Sequence, residues 1–151
     1  MESLYVILIS AMPIFELRAG IPLAIYYGFE PPKAYFLAVI GNFLPVPLLL
    51  IFLEKLLSIV KKFESLWRIY ETIQKRVHKK RDIVERYGYP GLIVFVAIPL
   101  PITGAWTACL LAFLLGLNNF KASISILLGI LIAGIIVLAP ILGVIKFFHL
   151  N

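Results

Sequence analysis

Residues 87–120 read YGYPGLIVFVAIPLPITGAWTACLLAFLLGLNNF, 34 residues without one charged side chain. As a single helix this run would be about 50 Å long, well beyond the ~30 Å hydrocarbon core of a bilayer. Its middle is Ile98-Pro99-Leu100-Pro101-Ile102-Thr103-Gly104. Each proline there lacks a backbone donor and crowds the preceding turn. Broken backbone at membrane depth is tolerated only where protein or a water-filled cavity covers it. The run therefore predicts a re-entrant helical hairpin with its break near the membrane midplane. The alternative is one kinked spanning helix here, in a chain of four kinked spanning helices.

The rest of the chain has the same character. Charge-free runs of 20 and 24 residues occupy 34–53 and 122–145. Hydrophobic residues make up 62% of the 151 positions and charged ones 15%, against about 25% charged in soluble domains. The mean hydropathy is +1.00. These values predict an all-α integral membrane protein, one membrane domain over 1–151 with no soluble domain. The start, Met1-Glu2-Ser3, has no basic region, and two charges follow in the apolar stretch. That pattern does not read as a signal peptide.

Ten of the fourteen Lys and Arg residues, with four acids, lie within 55–86, so this one stretch carries the whole net charge of +6. Basic charge gathered between apolar halves argues for a cytoplasmic loop facing anionic headgroups of the cell membrane, and against nucleic acid. Ile59, Phe63, Leu66, Tyr70, Ile73, Val77 and Val84 form an apolar stripe at helical spacing. Glu64–Arg68, Glu71–Lys75 and Asp82–Arg86 are favourable i,i+4 pairs. A basic amphipathic helix over 58–87, lying on the inner leaflet, is expected.

Shifted by 88 residues the chain matches itself without a gap. Pro13 falls on Pro101, Ile14 on Ile102, Leu23 on Leu111, Ala24 on Ala112, Gly28 on Gly116, Lys33 on Lys121, Ala34 on Ala122 and Gly41 on Gly129. Paired Pro, Gly and Lys in register read as a duplication. Repeat one covers 3–57 and repeat two 88–147. Each holds a proline-interrupted segment (3–29, 88–117), a short joint and a full helix. Pro13, Gly20 and Pro22 break the first segment; Pro99, Pro101 and Gly104 break the second. A re-entrant hairpin crosses zero times and its helix once, so the two repeats would be inverted. Gly129/Ala133 and Ala139/Gly143 are small pairs that permit close helix contact, including a homodimer.

The residues that can carry chemistry lie at the breaks. Glu16 and Arg18 stand between Pro13 and Pro22, and a charge at membrane depth costs at least about 2.5 kcal/mol. Such residues are kept by pairing or by facing a cavity. Arg18 suits an anion such as a phosphate through its planar fork, and Glu16 suits proton exchange. A purely structural ion pair is the competing reading. The second break offers Thr103, Trp106 and Thr107, with helix N-termini whose dipoles favour an anion. Thr hydroxyls in such helices also bond their own backbone. The lone Cys109 gives no disulfide. His78 and His149 have no Cys nearby, so no metal is expected. No nucleotide-binding or hydrolase motif is present, so neither enzyme chemistry nor a cofactor is expected.

Glu16-Leu17-Arg18-Ala19-Gly20-Ile21-Pro22 and Pro99-Leu100-Pro101-Ile102-Thr103-Gly104-Ala105-Trp106-Thr107 resemble the two signatures of the small multi-drug export protein family. They are more distantly similar to the DedA/VTT membrane proteins. The resemblance spans almost the whole chain and implies two re-entrant hairpins facing each other. For DedA relatives it implies movement of lipid phosphates such as polyprenyl phosphate, or proton-linked membrane homeostasis. DedA proteins typically place basic residues in the second hairpin, whereas this chain has none between Arg86 and Lys121. Taken together, a secondary-transporter-like protein is expected, moving an anionic or amphipathic substrate, with a lipid phosphate and proton coupling as candidates. Efflux of small hydrophobic or cationic compounds and a non-transporting scaffold are the alternatives. The expected partners are membrane lipids, a small or lipid-like substrate and a second copy of the chain.

Overall fold

In the computed structural model the described residues, 1–79, 84–100 and 103–149, form helices and no strand. Chain order is α1 (Glu2–Ala11), α2 (Glu16–Tyr26), α3 (Pro31–Phe43), α4 (Pro45–Val60), α5 (Glu64–Lys79), α6 (Val84–Ala97), α7 (Ala105–Leu114) and α8 (Asn119–His149).

Two lengths of helix result. α1, α2 and α7 have 10, 11 and 10 residues, and each rises only about 15 Å. The second break lies between α6 and α7, where Pro99 sits, and the first is residues 12–15, around Pro13. In contrast, α3 and α4 run on through Leu44, which keeps a right-handed helical backbone (φ −53°, ψ −43°). Pro45 and Pro47 cannot donate to the carbonyls of Gly41 and Phe43, and this interrupts the ladder without ending the rod. Pro31–Val60 and Asn119–Phe147 are long and apolar enough to cross a membrane, with 30 and 29 residues.

Those two rods are antiparallel. The Tyr35 hydroxyl, near the start of α3, donates to the Leu131 carbonyl in mid α8 (2.9 Å), and Glu54, late in α4, accepts from Asn119 at the start of α8 (2.7 Å). The short helices pack beside them, α1 and α2 on α3 and α6 on α8. Both joints repeat in detail. Phe29 N–H donates to the Ala24 carbonyl and Leu117 N–H to the Ala112 carbonyl, while Gly28 (φ 79°) and Gly116 (φ 65°) both take the left-handed turn. These are paired helix C-terminal motifs 88 residues apart. Lys33 lies over the Phe29 ring at 4.3 Å, and its counterpart Lys121 over the Tyr89 ring at 5.9 Å.

Packing is inside-out relative to a soluble core. Ala34, Ala38, Ala105, Ala108, Ala112 and Ala122 are buried, whereas Phe36, Ile40, Leu48, Ile51, Ile124, Leu128 and Ile132 point outward. Outward faces of this extent are covered by lipid in membrane proteins, and small inward residues let helices approach closely. At Gly41 an added Cβ would lie 2.5 Å from the Ile7 carbonyl oxygen, and at its counterpart Gly129 2.6 Å from Val96 Cβ.

The structure corrects the sequence reading in three places. Gly20 and Pro22 do not break the first segment but lie inside α2. Gly20 is there because a Cβ would overlap the Ser10 hydroxyl of α1. Pro22 is absorbed within the helix, as membrane helices allow. The amphipathic helix is not one unit over 58–87. Ile59 belongs to α4, Phe63 falls in the joint, α5 covers Glu64–Lys79 and α6 begins at Val84. The change comes where the apolar run of α4 is exhausted and Glu64 supplies an acidic first turn for a new helix. Glu64 and Arg68 pair at 2.9 Å on exposed surface. Finally, α6 carries its own kink at Gly88 (φ 49°, ψ −122°), ahead of Pro90. Pro101 lies outside the described residues.

Candidate functional site at the two helix breaks

The two breaks meet. α2 starts at Glu16 and α7 at Ala105, each directly after a break, so two short helices begin at one place. Free N–H groups and aligned peptide dipoles make such ends electropositive. The Glu16 carboxylate is seated on the second of them, accepting from the backbone N–H groups of Ala105 and Trp106. Glu16 is 5% exposed and has a left-handed backbone (φ 48°). That conformation costs roughly 1–2 kcal/mol for a residue with a Cβ. Hydrogen bonds to a charged group net about 1.5–3 kcal/mol each, so the pair outweighs the strain.

Gly104, the residue before α7, has an extended backbone (φ −128°, ψ −176°) that any residue adopts. What demands glycine is the carboxylate, because a Cβ there would overlap the Glu16 carboxyl carbon and both its oxygens. In the 88-residue register position 16 corresponds to position 104. The acidic side chain thus rests on the residue 88 positions further along the chain.

Arg18 completes the charged group. Its Nη2 is 3.8 Å from Glu16 Oε2, and its side chain is 25% exposed against 7% for Glu16. Residues at i and i+2 do not share a face of a regular helix. The left-handed backbone at Glu16 removes that regularity and lets both side chains line one cleft. Pro22, four residues on, cannot donate to the Arg18 carbonyl.

The cleft measures about 240 Å³ counting its open mouth, and its enclosed part has room for about one water. Pro99 and Thr103 close it from the second break, Val96 from α6, and Ala133 and Val137 from α8. Ala133 is the midpoint of the apolar span Asn119–Phe147, so the cleft lies at half the height of the rods. Asn42 of α3 also lines it, 2% exposed and with an Oδ1 that has no hydrogen-bond partner. Sequence reasoning missed Asn42, although a lone Asn within the charge-free run 34–53 was a visible signal.

The other expected residues divide. Thr103 faces the cleft, but its hydroxyl donates to the Ile98 carbonyl and accepts from Leu100 N–H, fastening the break itself. Trp106 lends its backbone N–H to Glu16, while its indole Nε1 donates to the Ala11 carbonyl at 3.0 Å and ties α7 to α1. Thr107 is half-buried outside the cleft lining. Among the described residues no three His, Cys, Asp or Glu side chains cluster to hold a metal.

Comparison with curated proteins and with solved structures finds no significant match. The family described as "Putative small multi-drug export protein" matches residues 16–136, from the first break to the middle of α8, and so takes in both sides of the cleft. With most of the chain inside that match, large apolar side chains facing outward and two helices long enough to cross a bilayer, this chain is a membrane protein that belongs to the small multi-drug export protein family.

Proposed function

We propose that the protein is a secondary-transporter-like carrier in the cell membrane that moves an amphipathic anion with an oxyanion headgroup, such as a lipid phosphate. Arg18 and the N-terminal ends of α2 and α7 hold the headgroup, and Glu16 exchanges a proton. The observation that carries this reading is the convergence of a guanidinium and the start of α2 on one cleft at mid-height, with the α7 N-terminus directly behind the Glu16 carboxylate. Discontinuous helices of this kind direct their positive ends at anionic substrates in known carriers. The lipid-phosphate choice also leans on the likeness to DedA/VTT proteins.

The same reading takes α1–α2 and the apolar arm of α6 with α7 as re-entrant hairpins, since none of these helices alone reaches across the core. Antiparallel rods at equivalent places in the two repeats support an inverted duplication. Both termini then lie outside, and the basic stretch containing α5 faces the cytoplasm. Ala139 and Gly143 are exposed and offer a contact for a second copy.

Efflux of hydrophobic cations, with Glu16 as counter-charge, is suggested by the family's name. It is the weaker reading, because the Glu16 charge already faces Arg18 and the α7 N-terminus. The test is reconstitution into phosphatidylcholine vesicles containing fluorescent phosphatidate, with leaflet exchange read by quenching of the outer leaflet. Exchange that Arg18→Gln abolishes is expected. Exchange equal in the variant, or uptake of a cationic dye that Glu16→Gln alone abolishes, counts against the anion reading.

A further inference from the structure

Two facts about the cleft are left over once an anion site is drawn there. Its best anion ligands, the N–H groups of Ala105 and Trp106, are already taken by the Glu16 carboxylate. And Asn42, almost fully buried, lines it and carries an acceptor oxygen without a hydrogen-bond partner. The first means that the site as folded is full. The enclosed part of the cleft, with room for about one water, cannot admit a tetrahedral oxyanion unless the carboxylate leaves. The second means that a proton-bearing oxygen is wanted. A buried acceptor without a donor costs about 1–3 kcal/mol, and the neighbouring carboxylate has no hydrogen to give while it is ionised.

We propose that Glu16 is a tethered occupant of the anion site. Its carboxylate holds the α7 N-terminus until a proton neutralises it, and the oxyanion headgroup then takes its place. The inference rests on the anion-site reading above. The exchange balances: one proton from solution forms an O–H bond on the carboxylate, the headgroup accepts the freed N–H groups, and no bond in the headgroup breaks. The new O–H, or that of a monoprotonated phosphate ester, supplies the donor Asn42 lacks. Proton and anion binding therefore favour each other, reciprocally. The titratable groups facing Glu16 are few. Arg18 stands beside it on α2 and Cys109 on α7 is near enough to feel its charge. The cleft-lining residues of α3, α6 and α8 are Asn42, Val96, Ala133 and Val137, none of which titrates. Gly104 is the built-in seat of the occupant, its missing Cβ leaving the volume that the carboxylate fills.

The experiment is calorimetric titration of the full chain in maltoside micelles with sodium sulfate, an oxyanion whose charge is constant between about pH 5.5 and pH 8. Wild-type protein should bind sulfate more tightly at the lower pH. Glu16→Ala should bind it equally at both, and at the higher pH more tightly than wild type by about tenfold. Arg18→Gln should bind weakly throughout. If Glu16→Ala binds neither sulfate nor phosphatidate better than wild type while Arg18→Gln loses anion binding, the anion site stands and the tethered occupant falls. If Arg18→Gln binds as wild type does, the anion site itself falls. Phosphatidate in mixed micelles is the second arm, compared at the higher pH only. A gain in Glu16→Ala seen with phosphatidate and not with sulfate assigns the site to a lipid headgroup, and the converse assigns it to a free oxyanion. No binding of either probe by any of the proteins overturns both readings.

Discussion

Replacing Gly104 by Ala isolates the contact on which the site is built. The backbone at Gly104 is extended, so alanine fits its conformation, and the three atoms nearest the added methyl are the carboxyl carbon and both oxygens of Glu16. The carboxylate must then leave the Ala105 and Trp106 N–H groups. Two charge-assisted hydrogen bonds are worth about 1.5–3 kcal/mol each, and partial rehydration through the open mouth returns some of that. A net loss of about 2–4 kcal/mol is expected. The measurement is equilibrium unfolding in mixed micelles of increasing dodecyl sulfate content, for Gly104→Ala alone and in a Glu16→Ala background. With the carboxylate gone, the methyl loses its three nearest obstacles, and its cost should fall to within about 0.5 kcal/mol of zero. A cost of Gly104→Ala that is the same in both backgrounds would refute the seating of Glu16 on α7.

Other expectations follow from single contacts. Gly41→Ala and Gly129→Ala should each destabilise by about 1–3 kcal/mol in the same unfolding assay, because the new Cβ meets the Ile7 carbonyl or the Val96 side chain. Gly143→Ala, with open space around it, should be neutral. Trp106→Phe removes the donor to the Ala11 carbonyl and should cost about 1 kcal/mol, with faster hydrogen exchange at the end of α1. A cysteine placed at Lys75 should be labelled from the cytoplasmic side only, and one at Glu2 from the outside only; labelling of both from one side would contradict the inverted topology.

The second break was legible because Pro99 lies where an apolar run is too long for a bilayer, and the first because Pro13 stands beside two charges in an otherwise apolar segment. The two matching joints were legible in Gly28 and Gly116, since a left-handed turn after a helix leaves little choice of residue. Gly20 and Pro22 were misread as breaks because a glycine that admits the Ser10 hydroxyl and a proline absorbed inside α2 look the same in sequence as helix breakers. The stripe from Ile59 to Val84 kept helical spacing across a joint, and spacing alone does not reveal a change of axis. Glu16 and Arg18 stood out as charges in an apolar segment. That Glu16 would seat on α7, and that Gly104 would make the room, depends on contacts 88 residues apart that no local pattern encodes.

The most direct test of a working Glu16–Arg18 site is a four-member cycle: wild type, Glu16→Gln, Arg18→Gln and the double variant. Each member is scored separately for unfolding free energy and for phosphatidate exchange in vesicles. Glutamine preserves the shape of the Glu16 side chain, and Arg18 is partly exposed, so both single variants should stay folded, Arg18→Gln losing exchange and Glu16→Gln losing the pH dependence of exchange. The double variant should stay folded and inactive. Strong coupling in stability, with each single variant unfolded and exchange intact in the double variant, would contradict a functional role and leave the pair as an internal ion pair alone.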